Sequence, residues 1–123
     1  MNFDVIFIGS GHASWHAAVT LSQAGKKVAI VEEDTIAGTC TSYGCDPKIL
    51  LDGPFELKNQ LRQYPEIIKE DVTIDWNALM NYKKKIINPL PDQLEQLFMA
   101  VGITIIKGHG RLSDDHTVSV DNN

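Results

Sequence analysis

The stretch FDVIFIGSGHAS, residues 3–14, decides the fold of this chain. It opens with a short apolar run rich in β-formers, which is typical of a strand buried on both faces. The glycine turn GSG interrupts that run, and apolar residues at helical spacing then continue to Ala24. A second apolar run covers residues 27–31. Strand, glycine turn, helix and strand within about thirty residues predict a βαβ unit whose two strands are parallel.

The rest of the chain continues the alternation of helices and strands, with no internal repeat and no linker. Turn formers and prolines place the boundaries, and Asp75 has the position of an N-cap. The predicted elements are a loop over residues 35–43, a helix that begins near Cys45 and is bent or interrupted at Gly53–Pro54, helices over 76–87 and 92–101, strands over 103–106 and 116–120, and a turn over 108–110. Within the first of these helices the candidate buried positions are Ile49, Leu50, Leu57 and Leu61. The sequence therefore predicts one α/β domain over residues 1–123.

Length, composition and charge limit the classes of function. A chain of 123 residues with 43% hydrophobic and 22% charged side chains is typical of one soluble globular domain. The net charge of -5, from 16 acidic and 11 basic residues, argues against a nucleic-acid partner. The apolar runs are all far shorter than the ~20 residues needed to cross a bilayer, and the first of them lacks the basic flank of a signal peptide. We therefore expect a cytoplasmic protein with no membrane partner.

The glycine turn has the spacing of a dinucleotide-binding fingerprint. Gly9 permits the tight turn, Gly11 lets the backbone approach a pyrophosphate, and Ser14 stands where a third glycine is usual. Glu32 follows Gly9 by 23 residues and ends the second strand, where a carboxylate that binds a ribose is expected about 20 residues on. The alternative is that Glu32 is one exposed acid among the three at residues 32–34. Strand, turn, helix, strand and acid together favour the nucleotide site.

The chain has two cysteines, Cys40 and Cys45, separated by four residues. A zinc site needs two further ligands, and no further cysteine and no histidine pair near the two cysteines in the sequence supplies them. A redox pair fits better, because Gly44 gives the turn flexibility and a helix that begins near Cys45 favours a thiolate there. Two buried free cysteines remain the structural alternative.

Together these features resemble the amino-terminal FAD segment of the pyridine nucleotide-disulfide oxidoreductases, a family that includes glutathione reductase, dihydrolipoamide dehydrogenase and mercuric reductase. The matching segments are Asp4-Val5-Ile6 before Gly9-Ser10-Gly11, residues 28–32, Gly38-Thr39-Cys40, Gly44-Cys45-Asp46-Pro47-Lys48 and residues 102–108. The resemblance implies a Rossmann-like three-layer FAD-binding domain with a parallel sheet. It also implies that this domain is truncated, with the NAD(P) and interface domains absent from the 123 residues.

The same resemblance assigns roles to individual residues. The cofactor is FAD, with NAD(P)H as the electron donor of the full-length enzyme. Cys40 would be the interchange thiol, Cys45 would lie against the isoalloxazine ring, and Lys48 would pair with the flavin edge. The implied cofactor-binding residues are Gly9, Gly11, Ser14, Glu32, Gly38, Thr39 and Gly110. Among the positions that depart from the family pattern, Ala37 replaces a usual glycine and Asp46 replaces a common apolar residue.

The implied function is the FAD-binding part of an NAD(P)H-dependent flavoprotein disulfide reductase, which acts on a small-molecule disulfide and is a homodimer at full length. Pro47-Lys48 directly after Cys45-Asp46 favours the glutathione reductase type. The dihydrolipoamide dehydrogenase and mercuric reductase types are alternatives, as are a non-catalytic nucleotide-binding module and a fragment that self-associates through an exposed sheet edge. We expect the 123 residues alone not to be competent for turnover.

Overall fold

A computed structural model describes residues 1–121 and shows a mixed α/β fold. In chain order its elements are β1 (Val5–Ile8), α1 (His12–Gln23), β2 (Val28–Glu32), α2 (Gly38–Ser42), α3 (Cys45–Leu61), α4 (Trp76–Ile87), α5 (Leu90–Ala100), β3 (Thr104–Lys107), β4 (Gly110–Asp114) and β5 (Thr117–Val120). The first three of these elements are the predicted βαβ unit. The Rossmann-like α/β fold class is therefore confirmed.

A three-stranded parallel sheet with the order β1-β2-β3 forms the centre of the fold. The register pairs Ile8 with Val31 and Glu32 with Lys107. All five residues of β2 are buried, which fits its continuous apolar sequence and its central position. Because the carboxyl ends of parallel strands meet at one edge, the ends of all three strands lie side by side there, and this edge carries the glycine turn.

The core lies between α1, the sheet and α5. Ala18 and Phe98 are fully buried, together with Ile30 of β2. Trp15 and Val19 pack against this cluster from the predicted apolar face of α1. Ile36 and Ala37 belong to the same cluster, so the segment between β2 and α2 is anchored in the core rather than exposed. That anchoring holds α2 next to the glycine turn.

The structure corrects several predicted elements. The segment expected as a loop contains the short helix α2, whose five residues are too few and too rich in Gly, Thr and Ser to give a helical signal. The helix α3 runs without interruption through Pro54. Two of its candidate buried residues, Ile49 and Leu57, are wrong, because their side chains are exposed by 62% and 56%.

A second, two-stranded antiparallel sheet consists of β4 and β5. The sequence predicted only the later strand, since Gly110 was assigned to a turn and β4 contains few apolar residues. Pro89 lies between α4 and α5, and α5 begins two residues earlier than expected, with Pro91 in its first turn. Among residues 1–121, no helix combines the length and the apolar composition that a membrane span requires.

The N-cap of α4 provides a direct test of the helix boundary. The Asp75 carboxylate accepts the backbone N–H of Ala78 at 3.0 Å, as predicted for an N-cap. We expect Asp75→Ala to lower the free energy of unfolding by about 1 kcal/mol, because this N–H loses its partner. Urea denaturation followed by circular dichroism measures the change. Asp75→Asn keeps the acceptor and should stay within about 0.5 kcal/mol of the original protein; an equal loss in both variants would contradict the capping role.

Candidate functional site

The glycine turn leaves backbone open at the amino end of α1. Gly9 has a φ of +91° and donates its N–H to the Val31 carbonyl at 2.7 Å. A Cβ built on Gly9 or Gly11 would meet no described atom within 4 Å. Gly11 is the N-cap of α1, the first turn contains no acidic residue, and no described side chain caps it. Free N–H groups and the positive end of a helix dipole therefore face open space, which suits a phosphate group.

Glu32 is buried at the end of β2, with 8% of its surface exposed. Its Oε2 accepts hydrogen bonds from the backbone N–H of Ser10 at 2.7 Å and from the Ser10 hydroxyl. Its Oε1 accepts the backbone N–H of Asp34 at 3.0 Å. The Ser10 hydroxyl also accepts the N–H of Ala37 at 3.0 Å. Glu32 is thus not an exposed acid: it holds the glycine turn and the segment after β2 in place.

The electrostatic state of Glu32 follows from this network. Burial raises the pKa of Glu32, but the hydrogen bonds from the Ser10 hydroxyl and from the backbone of Asp34 and Ser10 outweigh burial and bring the pKa below its ordinary value of 4.5. The side chain is therefore ionised at neutral pH. A carboxylate has about four acceptor positions, and the contacts with Ser10 and Asp34 fill three of them. No described side chain donates to the fourth position, on Oε1, and the backbone of Glu33 also lowers the pKa of Glu32 through a hydrogen bond.

The helix α2 packs directly on the glycine turn. A Cβ built on Gly38, whose φ is +69°, would lie 2.9 Å from the Gly11 Cα. The His12 Nε2 and the Thr41 Oγ1 are 3.0 Å apart and form a second link between α1 and α2. Ala37 has a φ of +75°, a left-handed conformation that favours glycine. This conformation explains why the family resemblance implies glycine at the position that Ala37 occupies.

Cys40 and Cys45 form a disulfide, with their Cα atoms 4.7 Å apart. Cys40 lies in α2 and is half-buried, whereas Cys45 is exposed and begins α3. A Cβ on Gly44 would lie 3.1 Å from the Thr39 carbonyl oxygen, so a glycine at this position lets α3 start close to α2. The alternative of two free cysteines is wrong. The pair lies at the amino end of a helix, where the dipole favours a thiolate after reduction.

A cleft of about 220 Å³ lies at the carboxyl ends of the parallel strands. We call it the nucleotide cleft; it is lined by Ile8, Gly9, Val31, Glu32, Glu33, Gly108, His109 and Gly110. A Cβ on Gly110 would lie 2.9 Å from the Val31 Cγ1, so close packing on β2 requires a glycine there. The structure thus brings Gly9, Glu32 and Gly110 together in one cleft, as the resemblance implies for a cofactor site.

Three of the other candidate residues lie outside that cleft. Ser14 is in the first turn of α1, where its N–H is bonded to the Gly11 carbonyl at 2.9 Å. Thr39 is exposed on α2 beside the disulfide. Lys48 lines a separate cleft of about 430 Å³, together with Phe55 and Trp76, next to the start of α3. Their assignment to FAD stays a prediction.

Sequence reasoning missed two contributors to the site. Ser10 is fully buried and bridges Glu32 to Ala37, but a serine between two glycines gives no separate signal. His109 and Glu33 form an ion pair at the mouth of the nucleotide cleft, with 2.6 Å between Nδ1 and Oε2. The only hint in the sequence is that His109 follows Gly108 after the third predicted strand. Which loops meet at the cleft depends on how the strands pair, and the sequence alone does not show that pairing.

The residues present fit FAD at its pyrophosphate and adenosine end. The open glycine turn can receive the phosphates, and Glu32 retains an acceptor for a ribose hydroxyl. The nucleotide cleft is smaller than the ~300–1,000 Å³ of a typical ligand pocket, which suits one part of a dinucleotide. The Cys40–Cys45 disulfide follows Gly38 in the chain and links α2 to the start of α3. It therefore lies next to the segment that packs on Gly11.

Comparison with known proteins gives consistent matches. The family model described as pyridine nucleotide-disulphide oxidoreductase matches residues 3–123. A dihydrolipoyl dehydrogenase of Chlamydia muridarum is 32% identical over 120 residues, which are 96% of this chain and 26% of the relative. A dihydrolipoamide dehydrogenase of Chaetomium thermophilum is 35% identical in an alignment 124 residues long, which covers 98% of this chain and 25% of the relative. A dihydrolipoyl dehydrogenase of Staphylococcus aureus is 30% identical over 119 residues, which are 95% of this chain and 25% of the relative. The chain spans about a quarter of the length of these relatives.

Proposed function

The chain belongs to the pyridine nucleotide-disulphide oxidoreductase family, and we propose that it supplies the FAD-binding, disulfide-bearing part of a flavoprotein of the dihydrolipoyl dehydrogenase type. The family depends on FAD, with NAD(P)H as the electron donor. The observation that carries the proposal is the packing of Gly38 against Gly11. Through this contact the element with the Cys40–Cys45 disulfide packs on the turn that suits a pyrophosphate.

The choice of the dihydrolipoyl type departs from the expectation drawn from residues 47–48. These relatives are named dihydrolipoyl or dihydrolipoamide dehydrogenases, so the preference for the glutathione reductase type has no support from them. A lysine three residues after the second cysteine is too short a signal to decide the substrate. A lipoyl disulfide as substrate, a homodimeric full-length protein and a cytoplasmic location belong to this proposal.

In the proposed function each part of the site has one task. FAD, when bound, supplies two-electron transfer between NAD(P)H and the protein disulfide. The backbone of Gly9 and Gly11 and the first turn of α1 hold the pyrophosphate. The open acceptor of Glu32 receives a ribose hydroxyl. The hydrogen bonds of Ser10 keep the Glu32 carboxylate ionised and fixed while it does so.

The cysteines carry out thiol–disulfide exchange. In the reduced protein the Cys40 thiolate attacks one sulfur of a substrate disulfide, which leaves a mixed disulfide and one substrate thiolate. The Cys45 thiolate then attacks the Cys40 sulfur, re-forms the protein disulfide and releases the second substrate thiolate. Protons from solvent convert both thiolates to thiols, so the substrate gains two electrons and two protons. The reverse sequence oxidises a substrate dithiol, which is the direction that the name of the relatives indicates.

Absorption spectroscopy of the purified chain with FAD tests this proposal. After reduction with dithiothreitol, we expect a long-wavelength charge-transfer shoulder from a Cys45 thiolate beside the flavin. Cys45→Ser should abolish the shoulder, whereas the matched variant Cys40→Ser should keep it without added reductant. Bound FAD whose spectrum ignores both substitutions would indicate a non-catalytic nucleotide-binding module instead. A colourless protein after reconstitution would overturn FAD binding itself.

A further inference from the structure

The mouth of the nucleotide cleft is bridged by an ion pair between two of its walls. One wall is the end of β2, where Glu33 follows Glu32, and the other is the turn between β3 and β4, which carries His109. The His109 Nδ1 and the Glu33 Oε2 are 2.6 Å apart. The two residues are separated by 76 positions in the chain, and their contact adds a side-chain link just beyond the last backbone hydrogen bond between the two walls, which runs from the Gly108 N–H to the Glu32 carbonyl.

His109 is held in this position by its backbone. Its N–H donates to the Asp121 Oδ1 at 3.1 Å, and its carbonyl accepts the Asp121 N–H at 2.8 Å. The preceding residue, Gly108, donates its N–H to the Glu32 carbonyl at 2.9 Å. A Cβ on Gly108 would collide with the Asp121 side chain, so this turn is closely packed. The imidazole of His109 therefore projects from a fixed backbone and not from a loose loop.

The chemistry of the cleft indicates what the pair acts on. Glu32 and Glu33 place two carboxylates at the cleft, and carboxylates accept hydrogen bonds from ribose hydroxyls and amino groups. The contact with His109 holds the Glu33 side chain at the mouth of the cleft. The other charged residues on the elements around the pair are Asp34, Lys107, Arg111 and Asp121. The side-chain contacts described for these four residues do not link the two walls of the cleft.

We propose that His109 and Glu33 form a clasp that holds the two walls of the nucleotide cleft together and positions the adenosine end of the bound dinucleotide. The inference rests on the proposed function. The clasp acts by preorganisation: walls that are already tied lose less freedom when a ligand binds, so the ligand binds more tightly. Both side chains are largely exposed, so the effect is that of a single surface ion pair. His109 and Glu33 are positioning residues and take no part in thiol exchange.

Isothermal titration calorimetry of the full chain tests the clasp with three probes. FAD carries both ends of the dinucleotide, ADP carries the adenosine end alone, and FMN lacks adenosine. We expect His109→Ala to raise the Kd for FAD and for ADP on the order of fivefold at pH 5.5. This change corresponds to the loss of a surface ion pair that contributes about 1 kcal/mol. At pH 8.5, where a histidine is neutral, the change should be less than about twofold. The affinity for FMN should not change at either pH.

Two conservative variants separate positioning from a structural role. His109→Asn keeps a donor near the Nδ1 position without a titrating charge. Its Kd for ADP should therefore lie between the values for the original protein and for His109→Ala, and it should vary less with pH. Glu33→Gln should remove the pH dependence in the same way. An unchanged Kd for FAD and ADP in His109→Ala at pH 5.5 would overturn the clasp, as would an equal loss for all three probes.

The probes also separate this inference from the proposed function. If FAD binds and His109→Ala has no effect, the clasp is wrong and the proposed function stands. If ADP binds with the expected dependence on His109 but FAD does not bind, the clasp stands and the FAD assignment is wrong. If neither FAD nor ADP binds to the unmodified chain, both are overturned.

Discussion

The substitution Gly38→Ala is expected to destabilise the protein by about 3 kcal/mol and to weaken FAD binding on the order of tenfold or more. Two effects act together at this position. The φ of +69° is unfavourable for any residue with a Cβ, and the new methyl group would lie 2.9 Å from the Gly11 Cα. Since that neighbour is backbone, relief requires α2 or the glycine turn to move. Either movement separates the disulfide element from the phosphate-binding turn.

Gly25→Ala provides the matched control for the Gly38 prediction. Gly25 also has a positive φ, +81°, but a Cβ there would meet no described atom within 4 Å. This variant should lose about 1 kcal/mol from backbone strain alone and should bind FAD normally. Urea denaturation and FAD titration of both variants measure the difference. Equal losses of stability in the two variants, with FAD affinity intact in Gly38→Ala, would show that the contact with Gly11 does not position the site.

The sequence was sufficient for the parts of the fold that depend on local periodicity and spacing. The apolar run of β1, the glycine turn and the apolar residues of β2 predict the parallel βαβ unit because each signal is short-range. Helix α4 is predicted from its N-cap Asp75 and its following periodicity. The position of Cys45 at a helix start is likewise local. These features fix the chemistry of the proposed site before any long-range contact is known.

Other features depend on contacts that no local pattern encodes. Helix α2 exists because Ile36 and Ala37 are anchored in the core and Gly38 packs on Gly11, and neither contact is visible in a Thr- and Gly-rich segment. Ile49 and Leu57 have apolar side chains but are largely exposed, so residue type alone gave the wrong burial.

The same long-range dependence applies at the nucleotide cleft. The pair His109–Glu33 arises only because the parallel order β1-β2-β3 brings the end of β2 next to the turn after β3. A sequence shows that a histidine follows a strand, but it does not show which carboxylate meets that histidine. Strand order is decided by packing over the whole sheet, so the ligand-facing loops are the last part of the site to become predictable.

Glu32 provides the second test with a large effect, because the same carboxylate supports the fold and faces the cleft. We expect Glu32→Gln to lower the free energy of unfolding by about 2 kcal/mol at pH 7. The amide keeps the shape of the side chain, but its NH₂ group points a donor at one of the backbone N–H groups of Ser10 and Asp34 that the carboxylate now satisfies. The Kd for FAD should rise as well, since the open acceptor on Oε1 is lost or reoriented.

The pH dependence distinguishes this mechanism from a simple loss of packing. The pKa of Glu32 is lower in the folded protein than its ordinary value of 4.5, because the hydrogen bonds of Ser10 and Asp34 outweigh burial. The ionised carboxylate therefore stabilises the fold fully above about pH 4.5 and progressively less as the pH falls through the lowered pKa. Urea midpoints between pH 7 and pH 3 should show the gap between the original protein and Glu32→Gln shrinking as the pH falls.

Other carboxylates also lose stabilisation in acid, and the comparison between variants removes their contribution. The pKa of Asp71 is lowered by its hydrogen bond from Lys58, and that of Asp114 by the backbone N–H of His116. Both groups are present in every variant, so their effect cancels in the difference. Glu56→Gln, at an exposed site of α3, should change stability by less than about 0.5 kcal/mol. A gap for Glu32→Gln that stays constant from pH 7 to pH 3 would mean that shape, and not the charge held by Ser10, makes Glu32 necessary.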